Sequence, residues 1–155
     1  MSVMRQISGW VMMGIMVVMS GCAETGSSGG AMQKGLQASL YDRLGKKEAI
    51  TAVVDDFVAR VAADSRINGK FANANIPRLK QMLVDQVCEA SGGPCKYTGR
   101  DMKATHAGMA ITSSQFDALV GDLVATLSKF KVPSREQGEL LSVLGPMKKD
   151  IVTGM

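Results

Sequence analysis

The chain has 155 residues, enough for one domain, and carries 18 Lys and Arg against 14 Asp and Glu for a formal charge of +4. The basic residues are scattered among acids, apart from pairs such as Lys46-Lys47 and Lys148-Lys149. Nucleic-acid proteins gather a basic stripe interleaved with aromatics, so this pattern argues against a nucleic-acid partner.

Residues 1–21 read as a targeting segment rather than as part of a fold. Arg5 supplies a positive start, and residues 7–19 form an uncharged, mostly apolar run too short for a comfortable membrane span. The run holds four of the twelve methionines, and the only tryptophan, Trp10. It ends in Ser20-Gly21 before Cys22, and Met19-Ser20-Gly21-Cys22 resembles a bacterial lipoprotein cleavage box, with Met where Leu is commonest. The expectation is lipidation of Cys22 and an envelope protein anchored to a membrane and facing the periplasm. Ala23 after the cysteine points to the outer membrane by the same analogy. The alternative is an ordinary secretion signal cut near Ala23. Residues 22–38 are Gly- and Ser-rich and read as a flexible tether, and the folded domain is expected over 39–152.

From there the apolar residues repeat at helical spacing. Ile50, Val53, Val54, Phe57, Val58 and Val61 form one stripe; Leu79, Met82, Leu83, Val87 and Ala90 form a second, after the helix-starting Pro77. Phe116, Leu119, Val120, Leu123, Val124 and Leu127 make a third, and Leu140, Leu141, Leu144, Met147 and Ile151 a fourth. Thr112 with Gln115, and Ser134 with Gln137, have the spacing of capping boxes. Gly145-Pro146 should kink the last helix. No alternating run is long enough for a sheet, so the domain is expected to be all-α, with four substantial helices. Residues 91–108 read as a loop-rich stretch, and so long a stretch without regular structure is expected to be functional.

His106 is the only histidine. It lies between Met102 and Ile111 in an apolar setting, where a neutral imidazole suits a haem iron. Zinc is a poor competitor, because one histidine and the two cysteines beyond Cys22 supply too few ligands and no C-x-x-C pair. A lone histidine is otherwise an ordinary surface or core residue.

The ordered set Tyr41-Asp42-Arg43-Leu44-Gly45, Ala49-Ile50, Val54-Asp55-Asp56-Phe57, Gly92-Gly93-Pro94, Tyr97-Thr98-Gly99-Arg100-Asp101-Met102 and His106-Ala107-Gly108-Met109-Ala110-Ile111 resembles group I truncated haemoglobins in order and spacing. The resemblance implies a two-on-two helical sandwich around haem b, with His106 as proximal iron ligand and Phe71 packed on the haem. It implies a pocket drawn from Phe57, Val58, Phe71, Leu79, Met82, Leu83, Gln86, Val87, Tyr97, Met102, Met109, Ile111 and Phe116. Arg78, Arg100 and Lys103 either meet the haem propionates or are solvated surface charges. The family's earlier glycine pair is half kept, as Gly45-Lys46.

The chain departs from its relatives on the distal side. Where they carry a tyrosine that donates to the bound gas this chain has Val58, and where they carry glutamines it has Leu79 and Leu83. A hydrogen bond to a charged group contributes ~1.5–3 kcal/mol, so oxygen is expected to be held weakly unless Gln86 substitutes. Met82 falls where some relatives place a distal ligand, and either ligates iron or packs in the core. Cys88 and Cys95, seven apart in an oxidising compartment, either form a disulfide or stay as thiols.

The expected activity is therefore haem and diatomic gas binding (oxygen, nitric oxide or carbon monoxide), with a separate protein as reductant where one is needed. Nitric oxide dioxygenation is an enzymatic possibility that the apolar pocket disfavours. The alternatives are a six-coordinate electron-transfer or redox-sensing haem using His106 and Met82, and a haem-free lipoprotein interaction module.

Overall fold

The computed structural model describes residues 38–154. The expected signal segment, the lipidation site Cys22 and the tether up to residue 37 lie outside the described residues. The elements in order are α1 (Leu40–Arg43), α2 (Lys46–Ala63), a 3₁₀ turn (Asn68–Phe71), α3 (Ile76–Ala90), α4 (Met102–His106), α5 (Ser113–Lys129), α6 (Ser134–Leu144), a 3₁₀ turn (Gly145–Met147) and α7 (Lys148–Ile151). The described residues contain no strand, only an isolated parallel bridge between Ile111 and Val152.

The first stripe buries as its spacing demands. Ile50, Val54, Phe57, Val58 and Val61 are all sealed on one side of α2, which packs on both α3 and α5. Gly45, at φ +89, precedes this helix, and a Cβ there would stand 2.8 Å from that of Ala49. Asn75 starts α3 by accepting from the Arg78 amide at 3.0 Å, with Pro77 in the first turn. Ion pairs Lys80–Asp55 and Lys47–Asp85 lie along the α2/α3 contact.

Thr112 and Gln115 form both halves of a capping box at α5. The second box expected from the sequence does not form. Pro133 takes the cap position, so Ser134 is already helical, and Gln137 donates to the Val132 carbonyl at 2.8 Å instead. Gly145-Pro146 breaks the last helix into α6 and α7 through a 3₁₀ turn. Arg43 on α1 reaches α6, with its Nε 3.0 Å from Glu136 and its other arm on Glu139.

The stretch after α3 is less irregular than its composition indicates. Within residues 91–108 a short helix, α4, starts at Asp101, whose side chain accepts from the Ala104 amide at 2.8 Å. Five residues are too few for a helix to hold itself in water, so α4 depends on its surroundings. It packs on α7. Just downstream, the Ile111 carbonyl accepts from the amides of Thr153 and Gly154, at 3.0 and 2.9 Å.

A polar seam runs between α2 and α5. Asp122 is buried there, and burial together with the nearby Asp64 carboxylate pushes its carboxyl up from the usual range. Asp64 itself is held down at about 2 by its hydrogen bonds from Arg66.

Candidate functional site

A cavity of about 580 Å³ opens between α3 on one side and α4 and α7 on the other, a size ordinary for cofactor pockets. Its α3 wall shows why the second stripe exists. Leu79, Met82, Leu83 and Val87 stay only half-buried, while Val84 and Cys88 on the adjoining face are sealed in the core. The stripe stays half-buried because it borders this space, while Leu83 and Val87 also touch the main core.

The cavity gathers thirteen of the residues that the sequence singles out: Phe57 from α2, Phe71 from the 3₁₀ turn, Arg78, Leu79, Met82, Leu83, Gln86 and Val87 from α3, Tyr97 and Arg100 from the connecting segment, Met102 and His106 from α4, and Phe116 from α5. Four others do not line it. Val58 follows Phe57 by about 100° around the helix, and turns instead to a small apolar void of about 30 Å³ beside Val61 and Ile76. Met109 and Ile111 lie past the end of α4, where they pack with Phe116 and Ile151 in a second apolar cluster. Lys103 is exposed on α4 and does not reach the cavity wall.

Leu140, Leu144, Met147 and Ile151 also line the cavity. The fourth stripe marks them as apolar without saying which space they face. No sequence signal announces that the Lys70 ammonium donates to the Met109 carbonyl at 2.7 Å, joining the turn that carries Phe71 to the segment after α4.

The polar groups of the cavity are few and mostly engaged. The Nδ1 of His106 is 2.8 Å from the carbonyl oxygen of Met102. A carbonyl can only accept, so Nδ1 carries a proton, and in the neutral ring the lone pair then belongs to Nε2. The Gln86 amide donates to the thioethers of Met147 at 3.3 Å and Met102 at 3.7 Å, toward α7 and α4. The Tyr97 hydroxyl donates to the Arg100 carbonyl at 2.9 Å. Its ring folds back over Gly99, where a Cβ would fall 2.3 Å from the hydroxyl oxygen. Arg78 and Arg100 line the cavity from exposed positions and form no ion pair among the described residues.

Residues 39–153 match the bacterial-like globin family. The chain belongs to that family. Among its relatives, a group 1 truncated haemoglobin of Mycolicibacterium paratuberculosis is 40% identical over 122 residues, covering 79% of this chain and 90% of the relative. One from Synechocystis is 32% identical over 121 residues, covering 74% of this chain and 98% of the relative. The crystal structure of the truncated haemoglobin of Tetrahymena pyriformis in its Fe(III) form superposes with a TM-score of 0.72 at 30% identity, over 74% of this chain and 98% of that one. The fold of this globin is thus the truncated two-on-two arrangement.

Membership of the globin family implies haem, and the residues present fit it. The cavity offers one imidazole in the tautomer a metal needs, apolar walls on both sides for a porphyrin, and two guanidinium groups at its border for carboxylates.

Proposed function

We propose that this globin binds haem b in the cavity between α3 and α4, with His106 as proximal ligand, and takes up a diatomic gas while holding oxygen weakly. Haem supplies an iron centre with a position for the gas. Everything else falls to the chain. The observation that carries the reading is the His106 Nδ1 contact with the Met102 carbonyl, which fixes the ring and leaves Nε2 free to ligate. Leu79, Leu83 and Val87 exclude water from the opposite wall and offer the gas no donor. Gln86 and Tyr97, the polar side chains nearest that role, already hold hydrogen bonds elsewhere. Arg78 and Arg100 are the partners for the propionates.

Titrating the purified protein with haemin tests this reading. One equivalent should give an intense absorption near the blue edge of the visible, and the ferrous form should bind carbon monoxide and nitric oxide. A protein that leaves haemin unbound would return the fold to a haem-free interaction module. Oxygen should bind and leave quickly; slow release would remove the weak-retention reading. Nitric oxide dioxygenation needs retained oxygen and an electron donor, and the apolar α3 wall runs against it.

We further propose that the chain works on the periplasmic side of a bacterial membrane, anchored through lipid on Cys22. The box Met19-Ser20-Gly21-Cys22 supports this, as does the Cys88–Cys95 disulfide, a bond that persists in oxidising compartments. No helix among the described residues is long and apolar enough to cross a membrane. Mass spectrometry of membrane fractions would find a diacylglyceryl cysteine at Cys22, and a Cys22→Ala chain released from the membrane would agree with it.

A further inference from the structure

We propose that the Cys88–Cys95 disulfide is a positioning bond for the proximal side of the cavity: it fixes the segment that presents α4, and with it the direction of the His106 ring. The proposal rests on the haem reading of the same site.

The bond joins two unlike places. Cys88 sits in the last turn of α3 with no exposed surface, inside the main apolar core. Cys95 is partly exposed and opens the segment that leads to α4. Its Cα lies 5.7 Å from that of Cys88. Without the bridge, ten residues, 92–101, would connect the cap of α3 to the start of α4; with it, only six, 96–101, are free of a covalent hold. The closed turn leaves no slack. A Cβ on Gly93 would stand 2.7 Å from the Cys88 sulfur and 2.5 Å from the Tyr41 ring.

Between Cys95 and α4 the chain is held by single hydrogen bonds at water-exposed positions and the Lys96–Glu89 ion pair, whereas α4 itself also packs on α7 and takes the part-buried contact from Gln86 to Met102. The Tyr97 amide donates to Glu89, the Tyr97 hydroxyl and the Thr105 hydroxyl donate to the Arg100 carbonyl, and the Ala104 amide donates to Asp101. Water competes for every one of them. The disulfide is the one hold that thermal opening cannot release. It ties the segment leading into a helix too short to stand alone to the most deeply buried part of α3. Because His106 is oriented by a carbonyl within α4 itself, a shift of α4 carries the imidazole with it. Metal geometry tolerates roughly half an ångström of such movement.

The test compares the full wild-type chain with Cys95→Ala, which keeps the Cys88 thiol in the core, and with Cys88→Ala/Cys95→Ala. In the haem-reconstituted proteins, transfer of haem to an excess of a scavenging apoglobin should speed up by roughly tenfold or more in both variants, with a shifted iron–histidine stretch in the ferrous Raman spectrum. In the haem-free chains, amide exchange should accelerate at Ala104 and Thr105 while the amides of α2 and α5 keep their protection. A lower thermal midpoint with unchanged haem transfer, Raman spectrum and Ala104 exchange would reduce the bond to a general staple and overturn the proposal. Should a variant not fold, wild-type chain with the bridge reduced by a phosphine supplies the same comparison. If wild type takes up no haem the haem reading fails, yet exchange at Ala104 and Thr105 still decides whether the bond holds α4.

Discussion

The imidazole Nδ1 of His106 and the carbonyl oxygen of Met102 lie 2.8 Å apart, one helical turn from each other on α4. The contact settles the ring's tautomer and rotation from within a five-residue helix. Replacing the ring therefore removes the proposed ligand but leaves the other cavity walls. His106→Ala should weaken haem binding by more than the ~10–100-fold that losing a partner behind a metal ligand costs. His106→Gly with added imidazole should recover the wild-type absorption spectrum.

Leu83 lies on the cavity wall, and the Gln86 amide, three residues further along α3, is engaged by the thioethers of Met102 and Met147. Leu83→Gln should slow oxygen release by roughly 10–100-fold, since a hydrogen bond to a charged group contributes ~1.5–3 kcal/mol and 1.4 kcal/mol is a decade. Carbon monoxide release should change far less. Stopped-flow displacement of oxygen by carbon monoxide measures both.

Met82 shares the same wall with Leu79 and Leu83 at helical spacing. If Met82 serves only to line the wall, Met82→Leu should cost less than ~1.5 kcal/mol and leave the ferric and ferrous spectra as they are. A spectrum that changes from six- to five-coordinate on this substitution would establish a thioether ligand and favour electron transfer.

The seam between α2 and α5 makes two carboxylates respond oppositely to pH. Asp64 has its pKa depressed to about 2 by Arg66, so its contribution is present above the ordinary carboxylate range and lost as pH falls toward 2. Asp122 has its pKa raised by burial and by Asp64, so its charged form works against the fold at neutral pH, a penalty relieved as acid protonates it. Asp64→Asn should lower the thermal midpoint at pH 7, and Asp122→Asn should raise it. Both differences should shrink as pH falls into the acid range, as followed by melting curves from pH 7 to 3.

Gly93→Ala should be costly. The added carbon would fall 2.5 Å from the Tyr41 ring and 2.8 Å from the Cys88 carbonyl oxygen, and neither backbone nor a packed ring moves freely there. A loss on the order of 1–3 kcal/mol is expected from such overpacking, read from denaturant unfolding.

The helices that carry most of the fold were legible because their stripes are long. Ile50 to Val61 and Phe116 to Leu127 each span three turns, enough for a period to stand out. The five-residue α4 was not, since Met102 and His106 give barely one repeat. The candidate site was legible where side chains are its substance: His106, Phe71, Met82 and Arg78 all reach the cavity. It was not legible where one helical step decides the direction, as for Val58, or where a distant backbone atom is the partner, as for Lys70 and the Met109 carbonyl. Ser134 shows the same limit, because the proline beside it took over the cap.

The bridge between Ile111 and Val152 has a bearing on how the protein is made. Synthesis delivers α4 well before the segment that braces it, because Thr153 and Gly154 leave the ribosome some forty residues after Ile111. A nascent chain stopped before α7 would display the greasy α3 wall with nothing steady opposite. The walls of the cavity are thereby complete only once translation has passed residue 154.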